Sequence, residues 1–208
     1  MIGKMFEFCK LPLTIMVKPF SGFYAMKFEQ KGTLKVALFI FFLVLISYAF
    51  ANQYASILVD ETHPLMRNSI TGILFRIAML LLFCAANWSV TSLTDGEGRF
   101  KDIIMAVCYA MTPLVLTIAP AAIMSNFLAA EETGLFTLLM GAGMFYFILL
   151  VFVGLVTVHN YGAIKALLTV LLTFVAILVI VFLLTLLFTL WQQLFNFVYS
   201  VYIEITFR

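Results

Sequence analysis

The sequence predicts an all-α fold, a polytopic membrane protein of five transmembrane helices preceded by an amphipathic segment. Three observations carry that reading. Residues Ala166 to Leu190 run without a charge, a proline or a glycine, a stretch longer, at about 1.5 Å per residue, than the roughly 30 Å of hydrocarbon in a bilayer. Of the chain's 208 residues 64% are hydrophobic and 11% charged, with a mean hydropathy of +1.14, a balance foreign to soluble domains. Four more long apolar runs alternate with short polar connectors. In lipid a backbone amide finds no outside partner, so such runs cross as helices.

Residues 1–33 form a cytoplasmic amphipathic segment. At 100° per residue Lys4, Glu7, Lys10, Thr14 and Lys18 share one arc, and Ile2, Met5, Phe6, Cys9, Leu13, Met16, Val17 and Phe20 fill the opposite one. That pattern suits an anionic inner leaflet, with Lys4, Lys10 and Lys18 at the headgroups and Phe6 and Phe20 below them. Packing on the connectors of its own chain is the alternative. Pro12 and Pro19 interrupt the helix, and Pro19-Phe20-Ser21-Gly22 reads as a turn before a second short helix. Met1 to Lys10 is not followed by the apolar core and cleavage site of a secretory signal, so the N-terminus is expected to be retained.

The spans are Leu34 to Ala51, Ser69 to Trp88, Ile103 to Ser125, Gly134 to Val156, and Ala166 to Leu190. They make a transmembrane domain, 34–190, followed by an exterior hydrophobic tail, 191–208. The connectors are too short for a separate soluble domain. Nine basic residues (Lys4, Lys10, Lys18, Lys27, Lys31, Lys35, Arg99, Lys101 and Lys165) fall on one side of this map, and only Arg67 and Arg208 on the other. Positive charge is retained inside. The expected arrangement is N-in, C-out, with Asp60, Glu61, Glu131 and Glu132 outside.

Arg76 is the one ionisable side chain well inside a span, and every Asp and Glu lies outside the spans. An arginine at the centre of a span costs roughly 2.5 to 3.5 kcal/mol on insertion scales, so it needs a partner: headgroups or Asp60 and Glu61 by snorkelling, backbone carbonyls, or a partner protein or lipid. Pro113 and Pro120 remove amide donors from the third span and predict a kinked helix. Ala106 with Ala110, Ala121 with Ser125, and Gly141 and Gly143 mark close-approach faces. Packing within the bundle and packing on a partner both use such faces. Thr169 and Thr173 lie opposite Thr185 and Thr189 on the last span, so they form no single polar seam.

In the tail, Gln192, Gln193, Asn196, Ser200 and Glu204 line one arc if it is helical, whereas alternation from about Ser200 onward favours a strand. Either form leaves an apolar face outside the bilayer core, and Trp191, Phe195, Tyr199 and Tyr202 are its candidate contacts to lipid or to another subunit. No catalytic, cofactor-binding or metal-ligating constellation stands out. His63 and His159 are isolated, HExxH, GxSxG and phosphate-cradling motifs are missing, and Cys9, Cys84 and Cys108 form no CxxC pair. Neither an enzyme, a cofactor nor a nucleic-acid partner is expected.

Asp95-Gly96-Glu97-Gly98-Arg99-Phe100-Lys101-Asp102, followed by Tyr109-Ala110-Met111-Thr112-Pro113-Leu114, resembles the Yip-domain family, whose eukaryotic founders are Ypt/Rab-interacting membrane proteins. Lys18-Pro19-Phe20-Ser21-Gly22-Phe23 is similar to the proline-aromatic segment before the first span of its bacterial members. The long cytosolic N-terminal region and the DLxGP-type element of eukaryotic members are not found here. The resemblance therefore implies a bacterial plasma-membrane protein and, as a partner class, carbohydrate ABC importers with their permease subunits. Abundant contact surface without chemistry points to an accessory or scaffold subunit that binds membrane lipids and other integral membrane proteins. An independent transporter or channel for a small or lipidic solute is the second reading, resting on Arg76 and the proline-bent span.

Overall fold

The computed structural model describes residues 2–56 and 68–207, without the side chains of 2–9 and 130. Asp60, Glu61, His63, Arg67 and Arg208 lie outside the described residues, as do the side chains of Lys4, Phe6 and Cys9. The helices are α1 (Ile2–Val17), α2 (Pro19–Lys27), α3 (Leu34–Tyr54), α4 (Ser69–Leu93), α5 (Phe100–Ala110), α6 (Thr112–Met124), α7 (Thr133–His159) and α8 (Ala163–Thr206), with a short 3-10 turn at Ala130–Glu132. Taking α5 and α6 together, five are long and apolar enough to cross a membrane.

The third span, α5 with α6, is the axis of the bundle. Of its apolar window 56% is buried, against 28% for α7 and 11% for α8. Small side chains at Ala106, Cys108 and Ala110 let neighbouring backbones approach, and Ile103, Met105 and Tyr109 fill the space between. The axis breaks at Met111, between α5 and α6. Pro113 has no N–H to offer the Tyr109 carbonyl, and the Thr112 hydroxyl donates to it instead at 2.6 Å. Beyond the break α6 continues through Pro120 to Met124.

Helix ends follow from local chemistry. Asn68 Oδ1 accepts from the Ile70 and Thr71 amides at the start of α4, the Asp102 carboxylate accepts from the Arg99 amide at the start of α5, and Asn160, at φ 55°, closes α7 in the left-handed conformation. The strand expected from about Ser200 onward is not formed, because α8 continues without interruption to Thr206. Extending an existing helix adds one hydrogen bond per residue with no new nucleus, while a lone strand would leave its amides unpaired.

The N-terminal helices are bent sharply against each other. A Cβ at Gly22 would come within 2.7 Å of Ile15 Cα, so the two backbones touch. α2 then lies along α7: Lys27 Nζ donates to the Val158 carbonyl at 2.6 Å, the Phe23 ring covers Gly154, and the Tyr146 hydroxyl donates to the Met16 carbonyl. Ile15, Phe23 and Met26 are buried by this packing. Leu13, Val17, Phe20 and Tyr24 face outward, as do Lys10 and Lys18.

Two glycines should therefore respond differently to one added methyl group. Gly22→Ala pushes against backbone and is expected to cost about 1 to 3 kcal/mol. Gly141, with nothing within 4 Å of an added Cβ, should accept alanine within about 0.5 kcal/mol. Unfolding of both variants in detergent measures the difference.

Candidate functional site: a polar latch and an overlong helix

At the lysine-rich end of the bundle three spans are tied by one hydrogen-bonded chain. His159 Nε2 lies 3.2 Å from Asn87 Oδ1, Asn87 Nδ2 donates to Thr173 Oγ1 at 3.1 Å, and the Thr173 hydroxyl donates to the Thr169 carbonyl at 2.8 Å. All four residues are buried. The amide oxygen of Asn87 accepts, so the His159 proton sits on Nε2. Nδ1 is then an acceptor, and among the described residues it has no hydrogen-bond partner.

Gly96 and Gly98 press onto that nitrogen, since a Cβ on either would come within 2.7 or 2.8 Å of it. The glycines of the inner loop are thus explained by close approach to the imidazole. Side chains hold the same loop down. Tyr161 Oη lies 2.9 Å from Thr94 Oγ1 and donates to the Thr94 carbonyl at 3.0 Å, Asn160 Nδ2 donates to Glu97, and Lys27 Nζ stands 3.7 Å from the Glu97 carboxylate. His159 stacks on Tyr161 at 5.4 Å, and Lys165 Nζ lies 4.5 Å from the centroid of the Tyr161 ring. An amide, hydroxyls and glycine backbone surround the imidazole, so the arrangement fastens the loop and α2 to the helix ends.

At the opposite end Arg76 finds its partners on its own chain. Nη1 donates to the Gly72 carbonyl at 2.9 Å, and the guanidinium lies 3.8 Å from the centroid of the Tyr48 ring on α3. A cation–π contact shielded from water reaches about 2 kcal/mol, which offsets much of the insertion cost. Tyr48 also borders an apolar groove of about 380 Å³ between α3, α6 and α7, with Leu114, Ile118, Phe136, Met140 and Gly141 among its walls. Arg76 and Gly141 are thereby brought to one neighbourhood through Tyr48. Gly143 is not part of it: it is buried on Thr117 of α6, and Ala121 and Ser125 are buried within the bundle too.

The tail residues stand apart. Trp191, Phe195, Tyr199 and Tyr202 are 66, 64, 57 and 63% exposed on α8. Among the described residues α8 is buried at Ala166, Thr169 and Thr173 and half-buried at Val170, Ala176, Ile177 and Ile180, and it packs there against α4 and α7.

His159, isolated in the sequence, is thus paired with Asn87, and neither Asn87 nor Tyr48 stands out from the sequence as a site residue. A signal for Asn87 did exist, because a carboxamide within an apolar run requires a polar partner from another helix. Which residue answers it depends on how the helices meet.

A family model, the Yip1 domain, matches residues 13–202, which take in the proline-aromatic corner, the glycine loop and all five spans. Neither the curated proteins nor the solved structures hold a match to the chain.

The latch predicts an order of effects. Asn87→Leu strands His159 Nε2 and should cost about 1 to 3 kcal/mol. Lys27→Met, which also loses the Val158 carbonyl, should lower the melting temperature more than Glu97→Gln, because the Glu97 side chain is 55% exposed and its ion pair is worth about 0 to 1 kcal/mol. Thermal unfolding of the three variants in one detergent compares them.

Proposed function

Because the chain belongs to the Yip1-domain family and is an integral membrane protein with several apolar helices, we propose that it is a non-enzymatic accessory or scaffold subunit that associates with other integral membrane proteins. One observation carries this reading, the length and exposure of α8. With 44 residues it is about 66 Å long. Tilted by 40°, the extreme for spans, it still stands about 50 Å tall, beyond the 40 to 45 Å of a whole bilayer with its headgroups. Beside the polar arc of Gln192, Asn196, Ser200 and Glu204, its outer third nevertheless keeps an apolar face, with Leu194, Phe195, Val198, Tyr202 and Ile205 exposed. Contiguous apolar surface of this kind marks a contact with another protein.

The same reading places the protein in the bacterial plasma membrane. Its resemblance to the bacterial branch makes the permease subunits of a carbohydrate ABC importer the first partners to test. The groove bordered by Tyr48 favours a second reading, an independent transporter for a lipidic solute, because its walls are apolar with Thr117 and Thr137 as the polar points. Flux in reconstituted vesicles that falls with Arg76→Ala would favour this second reading.

Purified in mild detergent, the full chain is expected to elute as a stoichiometric complex with an integral membrane partner. A chain ending at Leu190 should elute alone with an unchanged melting temperature. A full-length chain that is a lone monomer in several mild detergents would overturn the proposal.

A further inference from the structure

The N-terminal segment is placed in depth by its own contacts. Moving along α7 from its lysine-rich end, Val158 meets Lys27, Gly154 meets Phe23, and Tyr146 meets Met16. Four residues of α2 match four of α7 at the first step, and residue numbers fall together along both, so the two helices run parallel side by side. From Val158 to Tyr146 is twelve residues, about 18 Å of helix, whereas half the hydrocarbon thickness of a bilayer is about 15 Å. If α7 crosses the membrane, the corner between α1 and α2 lies close to the midplane.

Side-chain exposure agrees with that depth. Leu13, Val17, Phe20 and Tyr24 follow one another at steps of four, three and four residues, and all are more than half exposed. At the same level on α7, Phe145 and Ile148 are also more than half exposed, so the stripe continues an apolar belt already turned to lipid. α1 folds back on α2 through the Ile15–Gly22 contact, which returns the chain toward the side from which it entered. Lys10 then lies about 12 Å back up α1 from Lys18. Lys18 at the corner is exposed, and its aliphatic stem can carry the ammonium toward the headgroups.

We propose that α1 and α2 form a re-entrant helical hairpin in the leaflet at the lysine-rich end, with Leu13, Val17, Phe20 and Tyr24 against phospholipid acyl chains. The hairpin thickens the protein in one leaflet only, and the proposal stands independently of any partner bound by α8. A helix lying along the headgroups would present the same residues to the acyl boundary but would hold the corner at the surface.

Depth-dependent quenching tests it in the full chain. Phe20→Cys in a Cys9→Ser, Cys84→Ala, Cys108→Ala background carries an environment-sensitive fluorophore in phosphatidylcholine/phosphatidylglycerol vesicles. Lipids brominated near their chain ends should remove most of its emission, and aqueous iodide almost none. Iodide quenching with little effect of chain-end bromine would overturn the proposal. The unaltered chain supplies the second measurement, because a lipid with a photoactivatable group at its chain end should form adducts within residues 13–24. Adducts there from a headgroup probe alone would also overturn it.

Discussion

Hydrocarbon offers nothing to hydrogen-bond with, and every polar group that this chain carries below the headgroups must find its partner within the protein. The backbone meets the demand by staying helical, even through the proline-broken axis, where a threonine hydroxyl takes the carbonyl that Pro113 cannot reach. Side chains meet it across helices. Asn87, His159 and Thr173 answer one another from three different spans, and Arg76 is satisfied by a carbonyl one turn away and by an aromatic ring on the neighbouring helix.

These contacts also organise the two ends of the bundle. At the lysine-rich end the latch brings together the inner loop, the last turn of α7, the start of α8 and the N-terminal helix pair, with Lys27 bridging α2 to both α7 and Glu97. The glycines at 96 and 98 are required because a loop bearing side chains there would collide with the imidazole. Toward the other end, Asn126 Nδ2 donates to the Tyr54 carbonyl and the Ser56 amide to Ser125 Oγ, and α6 and α7 pack closely at Thr117 and Gly143. An open groove remains between α3, α6 and α7.

The role proposed for the protein follows from the imbalance between its helices. The third span is used up by internal contacts, and α8 is hardly used at all. A helix that is exposed over most of its length and longer than the bilayer has surface to spare for another protein. The N-terminal pair is the reverse case, one face consumed by α7 and the other left for lipid. Membership of the Yip1-domain family agrees with an integral membrane protein of several apolar helices.

Hydropathy is a local property, and so the number of spans and their starting points were legible directly. The reading from Leu34 to Ala51 became Leu34–Tyr54, and that from Ser69 to Trp88 became Ser69–Leu93. Proline is equally local, and the chain does change helix at Pro19 and near Pro113, but the interruption expected at Pro12 is not formed: α1 runs through it from Ile2 to Val17, as α6 runs through Pro120. Over residues 200–206 β-branched and aromatic alternation favours a strand and the polar arc a helix, and the helix already running into them decides between the two. What only the tertiary structure decided was pairing: which ring accepts the charge of Arg76, which imidazole answers Asn87, and which side of α2 meets α7. Sequence alone determined which segments lipid would accept as helices, because that depends on each segment's own composition. The partners of their few polar groups depend on distances between helices, and those exist only once the chain has packed.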